Sequence, residues 1–160
     1  MRIQTVRFGE VTIDEQKIIT FAAGLPGLEA YSRFAVLQFD ESYPITWLQC
    51  VDEPSICLPV VDSFLVMPDY AFNLADEDVK ELELRGPEDL QVLSVMVIPD
   101  NIEQMTVNQV APVVINMRTG AARQIILNGG DFNARLPIFE ELIKRIKEGR
   151  ADAGAVAQAE

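Results

Sequence analysis

The strongest constraint on the fold is the shortness of the apolar runs. Phe34-Ala35-Val36-Leu37-Gln38-Phe39, Ile45-Thr46-Trp47-Leu48-Gln49-Cys50-Val51, Ile56-Cys57-Leu58-Pro59-Val60-Val61, Leu90 to Ile98, Ala111 to Met117 and Arg123 to Leu127 are rich in β-branched residues. Each stops at a turn cluster such as Asp40-Glu41-Ser42-Tyr43-Pro44, Asp52-Glu53-Pro54 or Thr119-Gly120. Short β-branched runs between Gly, Pro and Asp are the pattern of strands. The gaps between them have no room for the long crossover helices of a βαβ protein. The expected class is mostly β, an antiparallel barrel or sandwich in a single domain. Pro59 and Pro112 lack a ladder donor and are expected at strand starts, edges or bulges.

Helix is scarce. Asp76 to Leu82 has acids at its N-terminal end and suits one or two turns. Pro87 to Leu90 reads as a turn, and Ile102 to Met105 as another. Near the end, Pro137 suits a first-turn position. Ile138, Phe139, Leu142, Ile143 and Ile146 then form an apolar stripe, with Glu140 and Glu141 early and Lys144, Arg145 and Lys147 late. The stripe predicts one short C-terminal helix, ending near Gly149, that either docks on the barrel or presents a partner-binding surface. Residues 1–150 are read as the folded domain. The Ala-rich stretch 151–160 has no apolar periodicity and is read as a disordered tail.

Among 160 residues there is no histidine. That removes Ser-His-Asp and Cys-His nucleophile pairs, His-ligated zinc and histidine proton shuttles. Cys50 and Cys57 are too few for a disulfide framework and read as small hydrophobes in a reducing compartment. The N-terminus has no signal-peptide core, and no run approaches the ~18 apolar residues of a membrane span. A cytoplasmic location is expected, with no membrane partner and no cofactor.

The formal net charge is −12, which repels phosphate and disfavours direct nucleic-acid binding. The charge is unevenly placed. Thirteen acids lie between Asp40 and Asp89, opposed there only by Lys80 and Arg85. The window is either a set of solvated loop tips or an electrostatic docking face for a basic partner, which would speed association more than deepen affinity.

Motifs that carry chemistry are weak. Gly24-Leu25-Pro26-Gly27 lacks the Gly-Lys-Ser/Thr of a P-loop, and its Pro26-Gly27 step signals a type II turn. As a loop it is either a binding element or a fold-determining turn. Paired acids such as Asp76/Asp78 or Asp52/Glu53 lack the spacing of a calcium loop. Trp47 reads as core. Gln49 shares its face and needs a hydrogen-bond partner, expected from a neighbouring loop.

Five segments in order resemble the FliW family of flagellar assembly factors. Phe21-Ala22-Ala23-Gly24-Leu25-Pro26-Gly27-Leu28-Glu29 is similar to its F-x-x-G-L-P-G-[FL]-E signature. Trp47-Leu48-Gln49-Cys50-Val51-Asp52-Glu53-Pro54 resembles its W-L-Q-S-x-x-x-P segment, with Cys50 for the small hydroxyl residue. Val60-Val61-Asp62-Ser63-Phe64 has Ser63 where the family more often has proline. Met105 to Asn116 resembles T-x-N-L-x-A-P-[IV]-x-[IV]-N, with Gln109 for leucine. Gly120 to Leu127 is similar to a G-x-Q-x-[IV]-L hairpin.

The resemblance implies a compact β-barrel-like regulator that is not an enzyme. It implies two cytoplasmic partners, flagellin before export and CsrA, a dimeric RNA-binding repressor of flagellin translation. By sequestering CsrA, beside its RNA site, the protein would relieve repression until flagellin accumulates and draws it away. Candidate contact residues are Gly24, Leu25, Pro26 and Gly27 in the turn, Asp76, Glu77 and Asp78 in the acidic window, and Asn108. Asn108 and Asn116 are alternatively strand-end hydrogen bonders. The rival classes are a metal-dependent carboxylate enzyme and a structural subunit of a larger assembly.

Overall fold

Buried and exposed residues alternate in the first strand. In β1 (Arg2–Thr5) Ile3 and Thr5 are buried while Arg2 and Gln4 face water. This strand pairs antiparallel with β2 (Gly9–Thr12), Arg2 opposite Thr12. The computed structural model describes residues 1–159, with side chains to residue 149. The tail expected over 151–160 therefore lies outside the residues described in full.

The remaining strands are β3 (Ile18–Phe21), β4 (Arg33–Gln38), β5 (Ile45–Cys50), β6 (Cys57–Asp62), β7 (Leu90–Val97), β8 (Thr106–Val107), β9 (Val113–Asn116), β10 (Ala121–Gln124) and β11 (Leu136–Pro137). Seven of them close a barrel in the order β6-β5-β4-β3-β10-β9-β7, with β7 returning to β6. Closure depends on the length of β7. Leu90 to Leu93 pair with β9, Leu93 to Val95 with β6, and Met96 and Val97 with β8. One barrel pairing departs from the expected antiparallel arrangement. β10 runs parallel to β3, Ala122 opposite Phe21. This is possible because the whole meander β4 to β9 lies between the two strands in sequence, so no tight hairpin dictates their direction.

The barrel interior is filled by alternate residues, among them Phe21, Phe34, Leu48, Cys50, Val60, Leu93, Val113 and Ile115. Phe21 and Phe34 meet edge to face with centroids 5.5 Å apart. Complete burial of side chains of this size contributes roughly 1.5–3 kcal/mol each. Three further clusters cover the outside. The β1–β2 hairpin packs Ile3 against Ala35, Leu37 and Trp47 on the outer face of β4 and β5. Helix α1 (Ser63–Val66) and helix α3 (Phe139–Ala159) cover β6 to β8, with Ile138 and Leu142 packed against Val61, Met96 and Val107. Helix α2 (Asp76–Glu81) is followed by Leu82, which packs on Val114 and Ile125.

The C-terminal stripe thus docks on the barrel. Gly149 does not end the helix as expected: it has no left-handed φ, and the helix continues past it. Pro112 immediately precedes β9, and Pro59 sits where β6 is paired with β5 but β7 has not yet joined. Both thiols are free. Cys50 is buried inside the barrel, whereas Cys57 is only half-buried, on the outer face.

Candidate functional site

The Gly24–Gly27 segment closes one end of the barrel. The Leu28 N–H donates 2.8 Å to the Leu25 carbonyl, with Gly27 at φ 83°, which is the expected type II turn. Leu25 points inward and is 3% exposed. Gly24 has φ 75°, and a Cβ there would lie 2.9 Å from the Glu29 Cα. The Glu29 carboxylate accepts from the Gly27 N–H at 3.1 Å. Its own backbone N–H and that of Gly27 hold its pKa below the ordinary value. The motif is therefore a stopper with a built turn. Pro26 and Gly27 remain exposed at its tip.

The acid triplet begins α2. Ala75 provides no side-chain cap, so Asp76, Glu77 and Asp78 supply negative charge to the first turn instead. Their environments differ. Asp78 lies 3.4 Å from the Arg123 guanidinium, which also pairs with Glu81, tying α2 to β10. Asp76 and Glu77 are exposed and take no ion pair among the described residues. Elsewhere in the acidic window Asp52 accepts from Arg33 at 2.6 Å, which raises the arginine's pKa, and Asp89 faces Arg118 at 3.6 Å. Arg33, Arg118 and Arg123 all come from outside the window.

Asn108 is a hydrogen-bonding element of the fold. Its Oδ1 accepts from the Val110 and Ala111 N–H groups at 2.9 and 3.3 Å, turning the chain from β8 toward β9. Asn116 is fully buried and holds two loops. Its amide donates to the Leu82 and Glu83 carbonyls, and its Oδ1 accepts from the Arg118 and Thr119 N–H groups. No hydrogen bond or ion pair among the described residues joins the turn, the acid triplet and Asn108, which stand on three different elements.

The departures from the family pattern have local roles. Ser63 is the first residue of α1, directly after the Asp62 cap, a position that also suits proline. Its hydroxyl lies 2.7 Å from that of Ser94 in the core. Gln109 accepts from the Asn133 N–H at 2.9 Å and anchors the loop ahead of β11. Gln49 donates to the Cys50 and Pro54 carbonyls, so the loop partner expected for it is Pro54. Trp47 is buried and its Nε1 donates to Ser42. Sequence reasoning did not find Tyr70, whose hydroxyl donates 2.6 Å to the Gln109 carbonyl. It falls in no periodic run, and the approach of Phe64, Phe72 and Phe132 reveals it as a packing centre.

Among the described residues no group of three or more Cys, Asp or Glu side chains is placed to hold a metal ion. No helix among the described residues is long and apolar enough to cross a membrane.

Comparison with known proteins agrees with this geometry. The family model described as FliW protein matches residues 2–138. Flagellar assembly factor FliW of Ruminiclostridium cellulolyticum is 35% identical over 146 residues, covering 91% of this chain and 99% of that protein. The protein of the same name from Thermosipho africanus is 40% identical over 135 residues, covering 84% and 93%. A crystal structure of the flagellar assembly factor FliW superposes with a TM-score of 0.81 at 27% identity, covering 86% of this chain and 96% of that one. The resemblance seen in the five segments extends over nearly the whole barrel, and the chain belongs to the FliW family.

Proposed function

We propose that this protein serves flagellar assembly as a cytoplasmic partner switch without enzymatic activity. It binds flagellin, and it sequesters CsrA so that repression of flagellin translation is relieved. Family membership carries the assembly role, since its relatives are named flagellar assembly factors. The choice of partners is supported by charge. An RNA-binding repressor presents a basic surface, and a chain of net charge −12 is complementary to it. Bound beside the RNA site, the acidic window would repel phosphate without covering every base contact. The exposed pair Asp76 and Glu77 is the part of the triplet free to act in this way.

Titration of the purified protein into CsrA by calorimetry, at two salt concentrations, tests the reading. Binding that weakens with salt and is lost when flagellin is preloaded supports the switch. No heat with either folded partner excludes it. The metal-dependent enzyme and the structural subunit have no observation in their favour among the described residues.

A further inference from the structure

The two ends of the barrel are finished differently. β4 runs from Arg33 to Gln38, so the 22–32 loop and Gln38 lie at opposite ends. At the loop end Leu25, Leu28 and Tyr31 pack onto the apolar interior. At the other end is a cavity of about 270 Å³. Gln38, Thr46, Asp62 and Gln91 line it, and the strand registers place all four on the inward-facing side. They continue the rows of Phe34 on β4, Leu48 on β5, Val60 on β6 and Leu93 on β7. Small barrels ordinarily fill such positions with apolar side chains. Here one end carries a ring of hydrogen-bonding groups above Leu93.

These groups are unspent. Among the described residues no hydrogen bond uses the Thr46 hydroxyl or either glutamine's side-chain amide, although Thr46 is only 7% exposed. Asp62 caps α1 through Oδ1, accepting from the Phe64 and Leu65 N–H groups at 3.0 and 3.3 Å, which leaves Oδ2 available. Asp40 also lines the cavity. Neither acid forms an ion pair with a lysine or arginine among the described residues. Tyr43 also lines the cavity.

We propose that this open barrel end is a pocket for an arginine side chain presented by a partner protein. Carboxylate, hydroxyl and amide oxygens arranged around one space match the five donors of a planar guanidinium better than the three of an ammonium group. The site is separate from the acid triplet, and its test involves neither flagellin nor CsrA, so its failure would leave the partner switch standing.

The probe is N-acetyl-L-arginine amide, followed through the backbone amide resonances of the isotope-labelled full chain. Saturable shifts confined to residues around Gln38, Thr46, Asp62 and Gln91 are expected at millimolar concentration. N-acetyl-L-citrulline amide, uncharged and of the same shape, should bind about tenfold more weakly, the loss typical of one charge-assisted hydrogen bond. Asp62→Asn keeps a capping side chain and removes the charge, and should give a similar loss. Gln91→Leu, which leaves the cap untouched, should also weaken binding while the melting temperature holds. Equal response to arginine and citrulline, shifts scattered over the surface, or none at all overturns the proposal. Tighter binding of free L-arginine than of the capped form would make this a small-molecule site and overturn the assignment to a partner's side chain.

Discussion

At the scale of single residues, the fold depends on polar side chains that are fully enclosed. Asn116 makes four hydrogen bonds to the backbone of two loops, one carrying Glu83 at φ 53° and the other the turn before β10. Asn116→Ala leaves buried carbonyl and amide groups unpaired, at about 1–3 kcal/mol for each group so orphaned. A loss of roughly 2–4 kcal/mol is expected in the unfolding free energy obtained from urea titration, and a change under about 0.5 kcal/mol would show that water replaces the side chain freely. Tyr70 makes a pH-dependent contribution. Burial pushes its phenol from 10 up to about 12. Between those values the unfolded chain ionises while the folded chain keeps its proton, so the unfolded state binds fewer protons and stability falls as pH rises. Below about pH 10 the phenol is neutral in both states and contributes no slope. Comparing wild type with Tyr70→Phe from pH 9 to 12 isolates this term. The variant should show the shallower decline, and parallel curves would refute the burial of the phenol.

Among the elements, α3 is the one whose role the sequence left open. Its stripe packs inward: Ile138, just ahead of the helix, and Leu142 are each 2% exposed in the cluster that also holds Val61 and Met96, while Phe139, Ile143 and Ile146 are partly buried. Leu142→Ala is expected to cost about 2–4 kcal/mol, as for other buried leucines truncated in a close-packed cluster. Thermal and urea unfolding measure it. A near-neutral result would mean that the helix does not contribute to the barrel's stability and is free for another surface. The same element illustrates what was legible. A stripe at helical spacing needs only local periodicity, and so do β4, β5, β6 and β7, whose apolar runs announce themselves. β1 and β2 were missed because four-residue strands with at most two buried side chains carry too little pattern, and β8 and β11 have two residues each. The parallel pairing of β10 with β3 is a consequence of closure, which no local window contains. The Gly24–Gly27 turn was readable as a turn, but its function as a stopper required knowing that Leu25 meets the interior.

Across the whole molecule the uneven charge sets the terms for any partner. Three arginines from the balanced flanks fold back onto the window and engage Asp52, Asp78, Glu81 and Asp89. The acidic face is therefore narrower than the sequence implies, and its members are not equivalent. Asp78→Lys opposes Arg123 and detaches α2 from β10, so its effect on binding cannot be separated from its effect on stability. Replacing Asp76 and Glu77 by lysine breaks no ion pair among the described residues. It weakens the charge–dipole match at the start of α2, at roughly 0.3–1 kcal/mol for each acid lost. The net charge moves from −12 to −8. Electrostatic steering acts mainly on the association rate and is screened with a length of about 10 Å at 0.1 M salt. The double variant should therefore associate several-fold more slowly with CsrA at low salt, converge on the wild-type rate as salt rises, and dissociate at nearly the wild-type rate. Stopped-flow measurement across a salt series separates these quantities. A rate unchanged at low salt removes Asp76 and Glu77 from the docking face. A faster dissociation with unchanged association would instead place them in direct short-range contact with the partner.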